Sequence, residues 1–197
     1  MKSYHFVAVF FAALLYLPVA AHAVIISVVP NVLSAEQGNP VNVDITVSDL
    51  GNGTAPSVGV FDIDFSYDAS ILGFNTATFG NQLDLFGFGS LQLVDSSVAG
   101  TINLFELSFD FSSDLDTLQS SSFVLASLAF DTLSAGSTNL NVALNALGDS
   151  VGNTLSPNIV NSQLIVTDMP LSSPATIWLF FLGMIALVSL TARKQAV

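Results

Sequence analysis

Apolar residues are arranged in two ways along this chain: in unbroken runs at both ends, and in alternation with polar residues between them. Alternation of period two puts successive side chains on opposite faces of an extended strand, so each such stretch predicts a strand with one buried face. Residues 41–47 (VNVDITV) and 58–67 (VGVFDIDFSY) show it most cleanly. In the second, Phe61, Ile63 and Phe65 face one way and Asp62, Asp64 and Ser66 the other. Residues 24–29, a β-branched run stopped by Pro30, predict a further strand, as do 71–79, 101–111, 123–133, 138–147 and 159–166. Turn-forming residues separate them at 31–40, 48–57, 68–70, 135–136 and 148–157. The glycine-rich stretch 81–100 predicts irregular chain with at most short strands, and 113–116 reads as the capped start of one helical turn. There is no long amphipathic pattern and no fixed-period repeat. About eight short strands joined by turns predict an all-β antiparallel sandwich.

The two apolar ends have a different meaning. Residues 175–192 carry no charge, and as a helix they would measure about 27 Å, close to the hydrocarbon thickness of a bilayer. Arg193 and Lys194 follow at once, which orients such a span with its C-terminus in the cytoplasm, and Trp178 suits the opposite interface. At the start, Lys2 and the apolar run 6–20, with Pro18 near its end, precede Ala21-His22-Ala23. That is the layout of a secretory signal, with cleavage after Ala23 leaving Val24 as the new N-terminus. The expected plan is a signal peptide at 1–23, one domain at 24–168, and a C-terminal segment at 169–197 holding a transmembrane helix and a basic tail.

Charge sharpens this plan. The basic residues are Lys2, Arg193 and Lys194, the histidines are His5 and His22, and all fifteen acidic residues fall from Glu36 to Asp168. The central domain therefore carries a formal charge of −15 with no Lys, Arg, His or Cys. It can form no internal salt bridge, offers phosphate no cation and so excludes nucleic acid as a partner. It also has no imidazole, amine or thiol for acid–base or covalent chemistry. The remaining enzymatic option is a carboxylate pair. Asp62 and Asp64 lie on one strand face, roughly 7 Å apart, but the domain has no Trp to serve as a sugar platform, and two acids on an alternating strand read more simply as a solvated face. The expectation is a non-enzymatic domain. Calcium is the one candidate cofactor, with donors in the loop 145–153 (NALGDSVGN) or in Asp62, Asp64 and Asp68. The segment 82–94 is too apolar for a casual loop: Leu83, Leu85, Phe86 and Phe88 are expected to cap the open end of the sandwich rather than form an exposed patch. The segment 48–57 also holds one Asn-x-Thr sequon, Asn52-Gly53-Thr54.

Two stretches, VGVFDIDFSYDASILGF at 58–74 and SSSFVLASLAFDTLSAGSTNLNVALNALGDSVGNTLSPNIVNSQLIV at 120–166, together resemble the cohesin-like domain family. The resemblance implies a jelly-roll β-sandwich of about nine strands and a non-catalytic recognition module. Dockerin binding is not implied, since many relatives occur without a cellulosome. The tail resembles the PEP-CTERM sorting signals of Gram-negative bacteria, in the variant that reads like VPLPAAxWLF. Met169, Pro170, Leu171, Pro174 and Ala175, then Ile177-Trp178-Leu179-Phe180, then Arg193 and Lys194 carry that likeness. The Pro-Glu-Pro tripeptide is absent, and Ser172-Ser173 is inserted before Pro174. The likeness implies export with removal of the leader by signal peptidase, anchoring in the inner membrane, processing by an exosortase-type enzyme, and display at the cell surface or in an extracellular polysaccharide matrix. The expected role there is to bind a protein or matrix component; the alternative is a module that binds or cleaves carbohydrate.

Overall fold

The computed structural model describes residues 23–169. The expected signal helix, with Ala21, and the expected transmembrane helix and sorting motif from Pro170 onward, with Leu171, Pro174, Arg193 and Lys194, lie outside the described residues. Among the described residues no helix is long and apolar enough to cross a membrane. The chain divides into one unit ending at Thr167 and a second beginning at Asp168; the first holds the strands of the fold.

These strands are β1 (Ile25–Pro30), β2 (Ser34–Glu36), β3 (Pro40–Ser48), β4 (Val60–Ser66), β5 (Leu72–Phe79), β6 (Ser90–Asp95), β7 (Thr101–Ser108), β8 (Phe123–Thr132), β9 (Gly136–Gly148), β10 (Asn158–Val160) and β11 (Ser162–Thr167), with one helix, α1 (Ser112–Leu118), between β7 and β8. They form two sheets, in the order β10-β1-β3-β8-β5 and β2-β11-β9-β4-β7-β6. The alternating positions do what their period requires. Val41, Val43, Ile45 and Val47 of β3 and Phe61, Ile63 and Phe65 of β4 are fully buried between the sheets. The ring of Phe65 meets that of Phe130 on β8 at 5.9 Å, and Tyr67 and Phe74 close on the same ring at 4.9 and 5.8 Å. This aromatic cluster ties one sheet to the other.

Three features depart from the expected pattern. The pairing is not wholly antiparallel: β10 runs parallel to β1, and β2 parallel to β11. The expected single strand 159–166 is two, because the chain steps from one sheet to the other at Asn161, just as it does between β1 and β2. At that step the Asn161 side-chain oxygen accepts the Val142 N–H, standing in for a backbone carbonyl. The extra strands β2 and β10 have three residues each, too short to show a period. The helix also begins one residue earlier than expected, at Ser112, and Phe111 at its N-cap supplies no side-chain hydrogen bond, so the expected cap is absent.

Candidate recognition surface

Register assigns every side chain of the six-stranded sheet to a face. Gln92, Glu106 and Phe61 form one row across β6, β7 and β4, and Phe61 is in the core. The neighbouring rows therefore point outward. They read Leu91, Leu107, Val60, then Leu93, Phe105, Asp62, then Asp95, Asn103, Asp64. The outer face is thus apolar at one end and acidic-amide further along. On its edge strand β6, Leu93 is 55% exposed and Leu91 is exposed as well.

The acidic part is built without cations. The Asn103 side-chain amide donates to Asp62 Oδ1 and to Asp64 Oδ1, both at 2.8 Å, and Asn145 donates to Asp62 Oδ1 at 3.1 Å. One neutral amide thus bridges the two carboxylates that the alternating pattern placed on this face. The other expected calcium donors are also engaged. Asp68 accepts from the Ser70 backbone and hydroxyl within its own turn. Asp149 accepts from Val151, from the Asn153 backbone and from the Asn153 amide. Burial pushes the Asp149 carboxyl up, but these bonds outweigh it and hold the group below the usual carboxylate range; Ser70 does the same for Asp68. Asp68 is not brought to Asp62 and Asp64, and among the described residues no group of three or more His, Cys, Asp or Glu could hold a metal ion.

The segment 82–94 splits its apolar residues. Leu83 is buried and caps the core as expected, and Leu85 is half-buried. Phe86 and Phe88 are exposed, the latter by 80%, contrary to the capping expectation. The reason is backbone geometry. Gly87 and Gly89 both take positive φ, 70° and 98°, conformations open to glycine at little cost, and they turn the two phenylalanines out of the loop. The Gly89 N–H is tied to Asp84 Oδ1 at 2.9 Å, and the Leu85 N–H to Asp110 Oδ2 at 2.7 Å. Residues 83–90 are thereby held against the β7–α1 connection, where Phe109 and Phe111 are exposed in turn. Phe86, Phe88, Phe109 and Phe111 line, with Asp110 and Asp114, a cavity of about 240 Å³.

Two buried polar residues at this end went unseen in the alternating pattern. Gln119 follows α1 and is 4% exposed. Its Oε1 accepts the Val58 N–H at 2.6 Å, and its Nε2 donates to the Val58 carbonyl at 2.9 Å and the Gln82 carbonyl at 3.0 Å. Glu106 sits on the core face of β7, after Ile102 and Leu104, and is fully buried. Its Oε1 accepts from Ser90 Oγ and Gln92 Nε2, while Oε2 has no partner. Burial pushes its carboxyl up, with Asp84 adding to that, against the two hydrogen bonds. An even position in a strand that alternates apolar and polar was the one available signal for Glu106. Gln119 had none, because its partners are backbone groups distant in sequence.

The arrangement of the two sheets has clear counterparts among solved structures. The cohesin CaCohA2 from Clostridium acetobutylicum matches at 24% identity and a TM-score of 0.58, over 74% of this chain and 92% of its own. The sixth cohesin of scaffoldin B from Acetivibrio cellulolyticus, solved in complex with a dockerin, matches at 17% identity and a TM-score of 0.60, over 74% and 99%. The fold is that of a cohesin domain. A non-cellulosomal cohesin from the archaeon Archaeoglobus fulgidus matches at 17% identity and a TM-score of 0.57, over 74% and 91%. No protein-family model matches the chain, and no curated protein does. The cohesin fold accounts for the breadth of the sheet face: β9, β4, β7 and β6 lie side by side and present a broad outer surface.

Proposed function

We propose that this domain is a non-enzymatic protein-recognition module that works outside the cytoplasm. The observation that carries the reading is the outer face of β7 and β6, where Leu91 and Leu93 stand exposed beside Phe105 and Leu107 with an amide-bridged acidic row next to them. An exposed apolar patch bordered by polar groups suits a protein interface. The cohesin complexed with a dockerin is a domain of this fold engaged with a protein, and the archaeal cohesin is non-cellulosomal, so the partner need not be a dockerin.

Export rests on the residues outside the fold. Val24 directly follows the small-x-small motif and is buried in the described core, so cleavage after Ala23 would leave the described strands whole. The tail from Met169 would then anchor the chain in the inner membrane and be processed by an exosortase. Delivery to the cell surface or polysaccharide matrix of a Gram-negative bacterium would follow. Fractionation and intact mass in cells with and without the processing enzyme test this. Cytosolic protein with an intact leader overturns it.

For recognition, full-length chain purified in detergent is used as bait for secreted proteins of the same organism, beside Leu91→Asp and Leu93→Asp. A partner retained by the parent and lost by both variants supports the reading. A second reading, carbohydrate binding, is favoured by a cavity of about 280 Å³ lined by Ser66, Tyr67, Asp68, Ser137, Thr138, Asn139 and Asn141, whose hydroxyls and amides suit sugar chemistry. Retention of a polysaccharide on a glycan array, lost in Asn141→Ala and kept in Leu93→Asp, would select it instead.

A further inference from the structure

We propose that the cavity between residues 84–90 and the β7–α1 connection receives a positively charged side chain, arginine or lysine, from a protein partner. The inference rests on the reading of the domain as a protein-binding module and names the chemistry of what it binds.

Four exposed phenylalanines around one depression form a contiguous apolar patch, the kind of surface that marks an interaction site. Phe88 is 80% and Phe111 77% exposed, and the rings of Phe86 and Phe88 stand 5.9 Å apart at 38°, so they form walls rather than a flat stack. Asp110 and Asp114 complete the lining. Aromatic faces and carboxylates have one ligand chemistry in common: each attracts a cation, the ring through its quadrupole and the carboxylate through its charge. A neutral apolar group would satisfy the rings and leave the carboxylates unused. An anion would meet both as repulsion.

Charge complementarity selects the source of that cation. The 24–168 stretch holds fifteen carboxylates and no basic residue, so no side chain of the domain can fill the cavity itself. A second copy of the same domain brings the same charge and is repelled. A basic protein segment is steered in by the whole field and finds, at this place, rings to cover its methylene stem. The site is also held open in advance. Asp110 Oδ2 fixes the Leu85 N–H while its own N–H donates to Ser108 Oγ, and Asp84 fixes Gly89. Asp110 therefore acts as a positioning residue as well as a lining one, setting the Phe86–Phe88 pair opposite Phe109 and Phe111.

The test is an NMR titration of full-length chain in detergent, with ¹³C-labelled phenylalanine. The probes are the blocked peptide Gly-Gly-Arg-Gly-Gly, its lysine and citrulline counterparts, and choline. The expected result is saturable shifts of the Phe86, Phe88, Phe109 and Phe111 rings with the arginine and lysine peptides, at least tenfold weaker with the uncharged citrulline peptide. Phe88→Ala and Asp114→Asn should each weaken arginine binding about three- to tenfold while the Phe65 and Phe130 ring signals stay in place, showing the core intact. Equal binding of citrulline and arginine overturns the proposal. So do shifts spread evenly over the acidic surface, or choline binding tighter than either basic peptide, which would point to a quaternary-ammonium ligand instead. The two readings fail separately. Partner capture indifferent to Leu91→Asp and Leu93→Asp, with arginine still seated in the cavity, removes the sheet face and keeps the cavity. Capture that depends on Leu93 with no charge preference at the cavity removes the cavity alone.

Discussion

Replacing Gln119 by alanine should be among the most damaging single changes in this domain, although the residue lies outside every strand. Its amide makes three hydrogen bonds, at 2.6, 2.9 and 3.0 Å, to backbone groups of Val58 and Gln82, and the bonded Val58 is fully buried. In Gln119→Ala the Val58 N–H and carbonyl lose their partners in a place water does not reach. An unpaired buried group costs roughly 1–3 kcal/mol. The Gln82 carbonyl, nearer the surface, adds less, so a total of about 3–5 kcal/mol is expected. Against a typical stability of about 5–15 kcal/mol this is a large fraction, and at about 3 °C per kcal/mol for a domain of this size it lowers the melting temperature by roughly 10–15 °C. Urea unfolding followed by circular dichroism measures it, and faster exchange of the Val58 amide localises it. Gln119→Glu is the control for mechanism. It keeps an acceptor for the Val58 N–H but sets a second oxygen against two carbonyl oxygens. Its deficit should exceed that of the alanine variant at neutral pH and shrink on acidification, as the protonated carboxyl regains a donor. A loss below about 1 kcal/mol in Gln119→Ala, or a pH-independent deficit in Gln119→Glu, would refute the reasoning.

Burial raises the Glu106 carboxyl, so its ionised form is penalised in the fold; this penalty is absent below the usual carboxylate range and grows as pH rises through the shifted value. Glu106→Gln should therefore match the parent near pH 4 and exceed it by roughly 1–3 kcal/mol at pH 7, and thermal melts that keep a constant gap across that range would count against it. Asp68, Asp95 and Asp149 are held low by hydrogen bonds, so their stabilisation is present above the usual carboxylate range and lost as pH falls below it; parent stability should peak at mildly acidic pH. Gly80→Ala places a Cβ 2.0 Å from the Val124 carbonyl oxygen, a backbone atom that cannot swing away, and should cost at least about 1–3 kcal/mol; a neutral result in a denaturant titration would mean that β5 and β8 separate more easily than their pairing suggests. Asn103→Ala removes the amide between Asp62 and Asp64, and the resulting loss should narrow as salt is raised from about 0.01 to about 1 M, where the screening length falls from about 30 to 3 Å; a salt-independent loss would show that packing rather than charge was removed.

How far the fold could be read from residue order depends on where the information lies. β3 and β4 each bury one face of a long alternating run, so period alone locates them and even assigns Asp62 and Asp64 to the solvent side. β2 and β10 hold three residues each and exist because β11 and β1 run alongside them in parallel; nothing local specifies them. The end of the sandwich was legible in part. The aromatic-glycine string Phe86-Gly87-Phe88-Gly89 announces something other than a casual loop, but whether its rings turn in or out is decided by two positive φ angles, by Asp84 within the loop and by Asp110 from elsewhere in the chain. The bridging role of Asn103 is of the same kind. An asparagine opposite an alternating acidic strand is visible only once β4 and β7 are in register.

Register also explains how a domain with fifteen carboxylates and no cation folds at all. At the carboxylates that tie elements together, a neutral donor stands where another protein would put lysine or arginine. Ser57 and Ser150 both donate to Asp116, at 2.6 and 2.8 Å, pinning α1 to two loops. Ser127 donates to Asp44 at 2.6 Å across β8 and β3, Ser90 to Glu106 at 2.6 Å across β6 and β7, and Asn103 serves Asp62 and Asp64 together. Hydrogen bonds to a charged acceptor contribute roughly 1.5–3 kcal/mol, so at the exposed carboxylates these contacts replace much of what ion pairs would give without bringing in a cation. A salt-bridged domain neutralises its own field at short range. This one has no cation of its own to do so, which costs self-repulsion but leaves a surface whose attraction for a basic partner is unopposed. The serine and asparagine counter-groups are therefore what permits the fold to stay acidic, and the acidity in turn is what makes the four-phenylalanine cavity selective for a cation rather than merely sticky.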